Sequence, residues 1–330
     1  MLGLSRSARR RAMAEDGAGR GRAAGRPSDI PKAGWRDILL RVWREQSEDN
    51  ISMIAAGVAF YMLLALFPTL AAMVSIYGLV ADPAEIERQF GMVSSVLPQG
   101  ATDILLGQMR QVAGASGGAL QLSVLVSLAL TLWSASRGMN ALINALNITY
   151  DERETRGFIK LNLIALGLTL GGIVFLILTL VLVAGLPAVF NALGLGGPVV
   201  QAVSLARWPL LAVAGIIGLA VLYRYAPDRQ EPRWRWVSWG AILATLLWLL
   251  GSIAFSVYVG NFSNYNETYG SVGAVVILLL WLNLTAYVVL LGAELNAEME
   301  HQTAQDTTTG RDQPIGHRRA YVADTVGNQP

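Results

Sequence analysis

The stretch ISMIAAGVAFYMLLALFPTLAAMVSIYGLV, Ile51 to Val80, runs for thirty residues without a charged side chain. At about 1.5 Å of rise per residue it forms a helix of roughly 45 Å, longer than the ~30 Å hydrocarbon core of a bilayer. Such a helix tilts, bends or overshoots. Pro68 is the expected place to bend, because its ring clashes with the carbonyl four residues back and its nitrogen donates no hydrogen bond. Ala55, Ala56, Gly57 and Ala59 offer little bulk and let a neighbouring helix come close. If the Pro68 break opens a cavity, the Phe60–Tyr61 pair lines it; if not, the helix only packs.

Composition extends the membrane reading to the whole chain. Of 330 residues 53% are hydrophobic and only 15% charged, where a soluble protein carries about a quarter charged. With no cysteine and only His301 and His317 for histidine, thiolate chemistry is excluded and histidine-metal sites nearly so. No phosphate-binding glycine loop, zinc-protease helix motif or serine-hydrolase elbow occurs, and no carboxylates cluster on one face. The sequence therefore predicts no enzyme and no cofactor.

Five more apolar stretches follow, at about 119–136, 161–185, 203–223, 237–258 and 272–293. The fold class is all-α, a polytopic membrane bundle of six transmembrane helices. Between the first two spans, residues 84–113 carry two short apolar stripes, read as an extracytoplasmic helical hairpin. Ahead of the first span, Trp35, Ile38, Leu39, Val42 and Trp43 recur at helical spacing opposite charged residues, the pattern of an amphipathic helix at the membrane interface. Asp49 or Asn50 is placed to cap the helix that follows. Residues 1–34, basic and rich in Gly and Ala, and residues 299–330, polar with no apolar period, read as disordered tails around a membrane domain at 35–298. A basic tail before a membrane helix suits anionic lipid headgroups better than nucleic acid.

Of 25 Lys and Arg, 22 fall in the N-terminal region, the second-to-third and fourth-to-fifth connections and the C-terminal tail. The positive-inside rule then places both termini in the cytoplasm. No ionisable residue falls in the middle of a span, which disfavours ion coupling at mid-depth. Charges gather at span ends, where Glu294 is a candidate gate partner for Arg137. Asn283 is polar at mid-membrane, beside Thr285; Asn147 lies a turn from Asn144 beyond Arg137, where loop contacts account for it. Between the fifth and sixth spans GNFSNYNETYGS holds Tyr269 and a Gly270 turn, which read either as an aromatic belt or as a grip on headgroups.

Together, ISMIAAGVAFYMLLALFP (51–68), LWSASRGMNALINALNITYDERETR (132–156), YRYAPD (223–228) and FSVYVGNFSNYNETYGSVGAVVILLLWL with LLGAELNAE (255–298) resemble the YihY/BrkB family of bacterial inner-membrane proteins, some once labelled ribonuclease BN. Matching positions include Phe60, Tyr61, Pro68, Asn147, Tyr150, Arg156, Tyr258, Tyr269, Gly270, Glu294 and Asn296. The resemblance implies six membrane helices and a part in envelope integrity, with lipid or amphiphile transport suspected. Membrane lipids are the expected partners, with an envelope protein docking on the outer hairpin as a further one. Two other functions fit the same residues: a small-solute exporter and a non-transporting envelope scaffold.

Overall fold

The computed structural model describes residues 19–78, 118–182, 198–261 and 264–328. The hairpin expected at 84–113 lies outside them. The described residues form a short 3-10 turn at Pro27–Asp29 and eight α-helices: α1 (Lys32–Glu48), α2 (Ile51–Gly78), α3 (Gly118–Thr149), α4 (Phe158–Leu180), α5 (Pro198–Tyr225), α6 (Trp234–Asn261), α7 (Asn264–Gln302) and α8 (Tyr321–Asp324). Five are long and apolar enough to cross a membrane, through Ile51–Leu70, Phe158–Thr179, Trp208–Tyr225, Trp234–Val259 and Gly273–Gln302. The other expected span, 119–136, falls in α3.

Two helices outrun their predicted limits. The charge run after Arg137 contains no proline, so α3 continues for thirteen more residues and ends only where Asp151 takes a left-handed φ of 54°. Likewise α7 starts inside the polar connection and runs for 39 residues, about 58 Å at 1.5 Å per residue. Pro68 does not end α2, which stays helical from Ile51 to Gly78.

The central element is α7, which contacts α1, α2, α3, α6 and α8. Its crossing with α6 brings backbone against backbone: a Cβ on Gly240 would stand 2.0 Å from the Gly292 carbonyl oxygen, and one on Gly292 would stand 2.5 Å from the Tyr223 hydroxyl. Side chains at either position would force the helices apart. Farther along the same pair, the Trp248 indole donates to Thr285 at 3.1 Å and stacks edge-on against Trp281. The cross-helix bonding expected of the mid-membrane polar residues is thus made by Thr285.

Burial is unequal along the bundle. The main core, from Ile51, Ala55 and Val58 through Leu142 to Tyr150, Ala220 to Ala226, Val237, Ala241 and Ala286 to Ala297, sits toward the end that holds the described parts of both terminal segments. Leu64, Leu130, Val174, Leu178, Leu210, Leu250, Ile253 and Val257 remain exposed along the spans. Apolar exposure on that scale in long helices is what lipid covers.

The described parts of the terminal segments, residues 19–34 and 299–328, pack on the bundle. Val322 and Ala323 are buried, and Val322 joins the main core. Arg318 binds four main-chain carbonyls, of Gln313, Gln305, Ala323 and Ala304, at 3.0, 3.1, 2.6 and 2.8 Å. Arg22 donates to the carbonyls of His301, Gln302 and Gly327, closing the C-terminus of α7, where free carbonyls and the helix dipole favour a cation. These segments fold by satisfying polar backbone rather than by an apolar stripe, so hydrophobic periodicity did not reveal them. On α1 the buried residues are Gly34, Asp37, Ile38, Arg41 and Val42, whereas Leu39 and Trp43 of the expected apolar face are exposed. Pairing of Arg41 with α7 turns the helix by about one residue, leaving Leu39, Leu40 and Trp43 outward. Asn50 adopts a φ of 55° and donates its side-chain amide to Glu48 O at 3.1 Å, making the α1–α2 joint rather than a side-chain cap.

Candidate functional site

Along the end of α7, polar residues stand at every second position: Glu294, Asn296, Glu298, Glu300 and Gln302. A period of two on a helix of 3.6 residues per turn sends them to two sides, with Glu294, Glu298 and Gln302 on one and Asn296 and Glu300 on the other. All five are buried, with relative exposures of 0–4%. A buried charge costs heavily unless paired, so each side needs partners from another element.

On the first side, α1 supplies Arg41. It bonds the Glu298 carboxylate, and donates to Gln302 Oε1 at 2.7 Å, Glu298 O at 3.2 Å and Asn328 O at 3.3 Å. His301 lies 3.6 Å from Glu298 through Nδ1 and 2.6 Å from the Thr325 hydroxyl through Nε2. On the second side, Asn296 accepts from Gly240 N at 2.8 Å, exploiting the close α6–α7 crossing. Glu300 takes a two-pronged bond from Arg229 at 3.1 and 2.7 Å, with both side chains wholly buried. The Arg229 guanidinium also lies 5.0 Å over the ring of Tyr150, which is itself fully buried.

A third group joins the end of α3 to the connection between α5 and α6. Asn147 donates to Glu154 at 2.9 Å and accepts from Asp228 N at 2.8 Å. Arg156 binds both Glu154 oxygens, at 2.8 and 2.6 Å, and the Ala226 carbonyl at 2.9 Å. Burial alone would raise the Glu154 carboxyl, but the hydrogen bonds from Arg156 and Asn147 outweigh it and hold the group below the usual range. Asp228 is lowered in the same way, burial being outweighed by bonds from Thr155.

Beside these groups opens a cavity of about 970 Å³ whose lining includes the acids Asp49, Asp151, Glu152 and Asp228 and the bases Arg153, Lys160, Arg229 and Arg319. Burial first, then Asp151 and Glu45, pushes the Asp49 carboxyl up to about 6. Burial raises Asp151 and Glu152 as well, and pushes the Tyr150 phenol up. Chemically, the arrangement clamps helices together and offers a polar, mixed-charge cleft. Among the described residues no group of three or more His, Asp or Glu is placed to hold a metal ion.

Of the residues singled out from the sequence, Asn147, Tyr150, Arg156, Glu294 and Asn296 come together at this end of the bundle. The remainder lie elsewhere. Phe60 and Tyr61 are exposed and touch edge-on at 5.7 Å, and Pro68 is half-buried in α2. Tyr258 is exposed and stacks with Phe255; Asn283 is half-buried in α7, and Tyr269 and Gly270 lie in its first turns. The expected Glu294–Arg137 pair does not form: Arg137 is exposed over the Trp133 ring, while Glu294 is buried. Sequence reasoning missed Arg41, Arg229 and Glu300, because nothing local marks a partner 71 residues away.

The family described as Virulence factor BrkB matches residues 42–316. The chain belongs to the BrkB family. It is 33% identical over 252 residues to the putative ribonuclease-like protein YfkH of Bacillus subtilis, covering 74% of this chain and 88% of that one. It is 28% identical over 283 residues to a UPF0761 membrane protein of Tolumonas auensis, covering 82% and 87%. A UPF0761 membrane protein of Methylibium petroleiphilum is 28% identical over 298 residues, covering 82% and 67%. No solved structure matches the chain. The BrkB match takes in the Asn147, Arg156, Arg229 and Glu300 contacts and stops short of Arg20, Arg22, Arg41 and Arg318, so the arginines that anchor the terminal segments lie outside it.

Proposed function

We propose that this BrkB protein is a six-span inner-membrane protein of the bacterial envelope, with both termini cytoplasmic, that hands over or translocates a lipid or other amphiphile. The observation that carries the reading is the uneven burial. Only 11–28% of the residues in each candidate span are buried by protein, while a dense ionic layer locks the end where the terminal segments meet. Apolar walls without a fixed charge at mid-depth suit an acyl chain better than an ion. The descriptions of the UPF0761 relatives name membrane proteins and support the location. The described terminal segments and the connections at 150–157 and 226–233 meet on one side, through bonds such as Gln230 N to Arg319 O and Tyr321 N to Glu152, as an even number of crossings requires.

Purified protein in liposomes of envelope phospholipids is expected to accelerate exchange of a labelled lipid between leaflets. No acceleration with any envelope lipid, beside robust flux of a soluble solute, refutes it. Such flux is the outcome of the second reading, a small-solute exporter, which the polar cavity favours. Reporter fusions after Leu193 and after Asn264 are expected on the outer side; a cytoplasmic signal from either overturns the topology.

A further inference from the structure

Helix α1 has one open face. At about 100° per residue, Lys32, Arg36, Leu39, Leu40 and Trp43 fall on the side opposite Arg41, which is fastened to α7. All five are exposed, Leu39, Leu40 and Trp43 by 46–73%. The face is graded along the helix, with two cations in its first turns and three apolar side chains in the next. Those cations are not neutralised by the acids of their own helix. Asp37 is buried and takes two bonds from Arg20, at 2.8 and 3.0 Å, while Glu45 and Glu48 stand at the other end beside Arg44, at 3.5 and 3.6 Å. Among the described residues neither Lys32 nor Arg36 forms an ion pair. Lys32, Trp35, Arg36, Leu39 and Leu40 line an open groove of about 490 Å³. The Trp35 ring sets its depth: it packs on Trp239, with centroids 5.6 Å apart, and Trp239 lies five residues, about 7.5 Å of helix, inside the candidate span that opens at Trp234. On that flank of α6, Trp239, Ile242 and Leu246 share a face and are exposed, a surface that lipid covers. The groove thus adjoins lipid-facing wall at the level where a headgroup meets its acyl chains.

We infer that this groove binds one anionic phospholipid of the leaflet beside the terminal segments, its phosphate held by Lys32 and Arg36 and an acyl chain laid over Trp35, Leu39 and Leu40 toward the α6 flank. Two unneutralised cations one turn apart suit a phosphodiester and draw it from a negatively charged leaflet. A zwitterionic headgroup would add a third cation beside them, and a soluble anion would leave the leucines in water. Seated there, the lipid bridges α1 to α6 and fastens the outer side of α1, as Arg41 fastens its inner side to α7. The site presupposes the membrane placement proposed above, not movement of lipid by the protein, and its test reads binding rather than transport, so that failure of one leaves the other standing.

The test is native mass spectrometry of the purified full-length protein in a neutral detergent, titrated with phosphatidylglycerol or with phosphatidylcholine of the same acyl chains. The wild type is expected to bind its first phosphatidylglycerol in preference to phosphatidylcholine. Lys32→Gln with Arg36→Gln, both at exposed positions, is expected to weaken phosphatidylglycerol roughly 30-fold and to leave phosphatidylcholine as it was. Leu39→Ser with Leu40→Ser is expected to weaken both lipids alike, by roughly tenfold, because the acyl contact is common to them. No preference in the wild type overturns the site. So does an equal loss in Arg44→Gln with Arg311→Gln, which removes two exposed cations outside the groove. A loss in the charge variant with none in the leucine variant means a surface patch for any anion and overturns the groove.

Discussion

Replacing Arg229 by Met tests whether the ionic layer holds the bundle together. The guanidinium and Glu300 carboxylate make two bonds, at 3.1 and 2.7 Å, with both side chains wholly buried. Met retains an apolar body against the Tyr150 ring and removes the charge, leaving Glu300 with the Thr307 hydroxyl at 2.5 Å as its bonded partner. Stranding a buried carboxylate costs about 3–5 kcal/mol. At about 2–4 °C per kcal/mol, the relation for chains of 150–250 residues, the apparent Tm should fall by roughly 6–20 °C. Tryptophan fluorescence during a thermal ramp in detergent reads this from nine tryptophans. Glu300→Leu should be comparably damaging, because it strands the cation instead. The double variant removes both charges and should recover most of the loss, since replacing a whole buried pair by apolar groups is often near neutral. If the double variant loses the sum of the two singles, with a coupling under about 1 kcal/mol, the pair does not act as a unit and the reasoning fails.

Gly240→Ala should leave little folded protein by size-exclusion chromatography, because its Cβ meets the Gly292 carbonyl oxygen at 2.0 Å, whereas Gly57→Ala, with nothing within 4 Å, should be tolerated. Ending the chain after Gln302 removes Thr307, Arg318 and the carbonyl of Asn328, and should give aggregated protein rather than a trimmed, active one. Arg318→Ala leaves four carbonyls short of a donor and should cost on the order of 3 kcal/mol in the same thermal ramp. Asp49 supplies a pH dependence: its value of about 6 lies above the ordinary 3.8, so the folded state holds the proton more tightly. That stabilisation is complete below the ordinary value and is lost as pH rises through about 6. Apparent Tm should decline across that window in the wild type and less steeply in Asp49→Asn. Glu154 and Asp228, shifted the other way, act as pH falls below the ordinary carboxylate range and do not mask it.

The apolar spans were legible because lipid imposes a simple rule, about twenty uncharged residues in a row, and Phe158–Thr179 or Trp234–Val259 obey it without help from any partner. The candidate site obeys no such rule. Tyr150, Arg156 and Asn296 were found through motif resemblance; Asn147 and Glu294 also stood out by position, but Glu294 was set against Arg137, which instead lies exposed over the Trp133 ring. What makes them a site is the pairing of Glu298 with Arg41 across 257 positions and of Glu300 with Arg229 across 71, which no local window contains. The terminal segments were illegible for a related reason. Arg318 and Arg22 organise them by collecting carbonyls, and a carbonyl belongs to every residue, so the composition of a tail folded this way is the composition of a disordered one.

The position of the ionic layer follows from how membrane helices associate. Lipid tails are as apolar as leucine, so the spans gain little from burying one another and their register must be set by close packing or by polar contacts. The α6–α7 crossing at Gly240 and Gly292 provides the first, and it is next to Asn296, where the second begins. From there the paired side chains continue outward along α7 to Glu300 and Gln302, each charge answered from a different element: α1, the turn before α6, and the folded C-terminal segment.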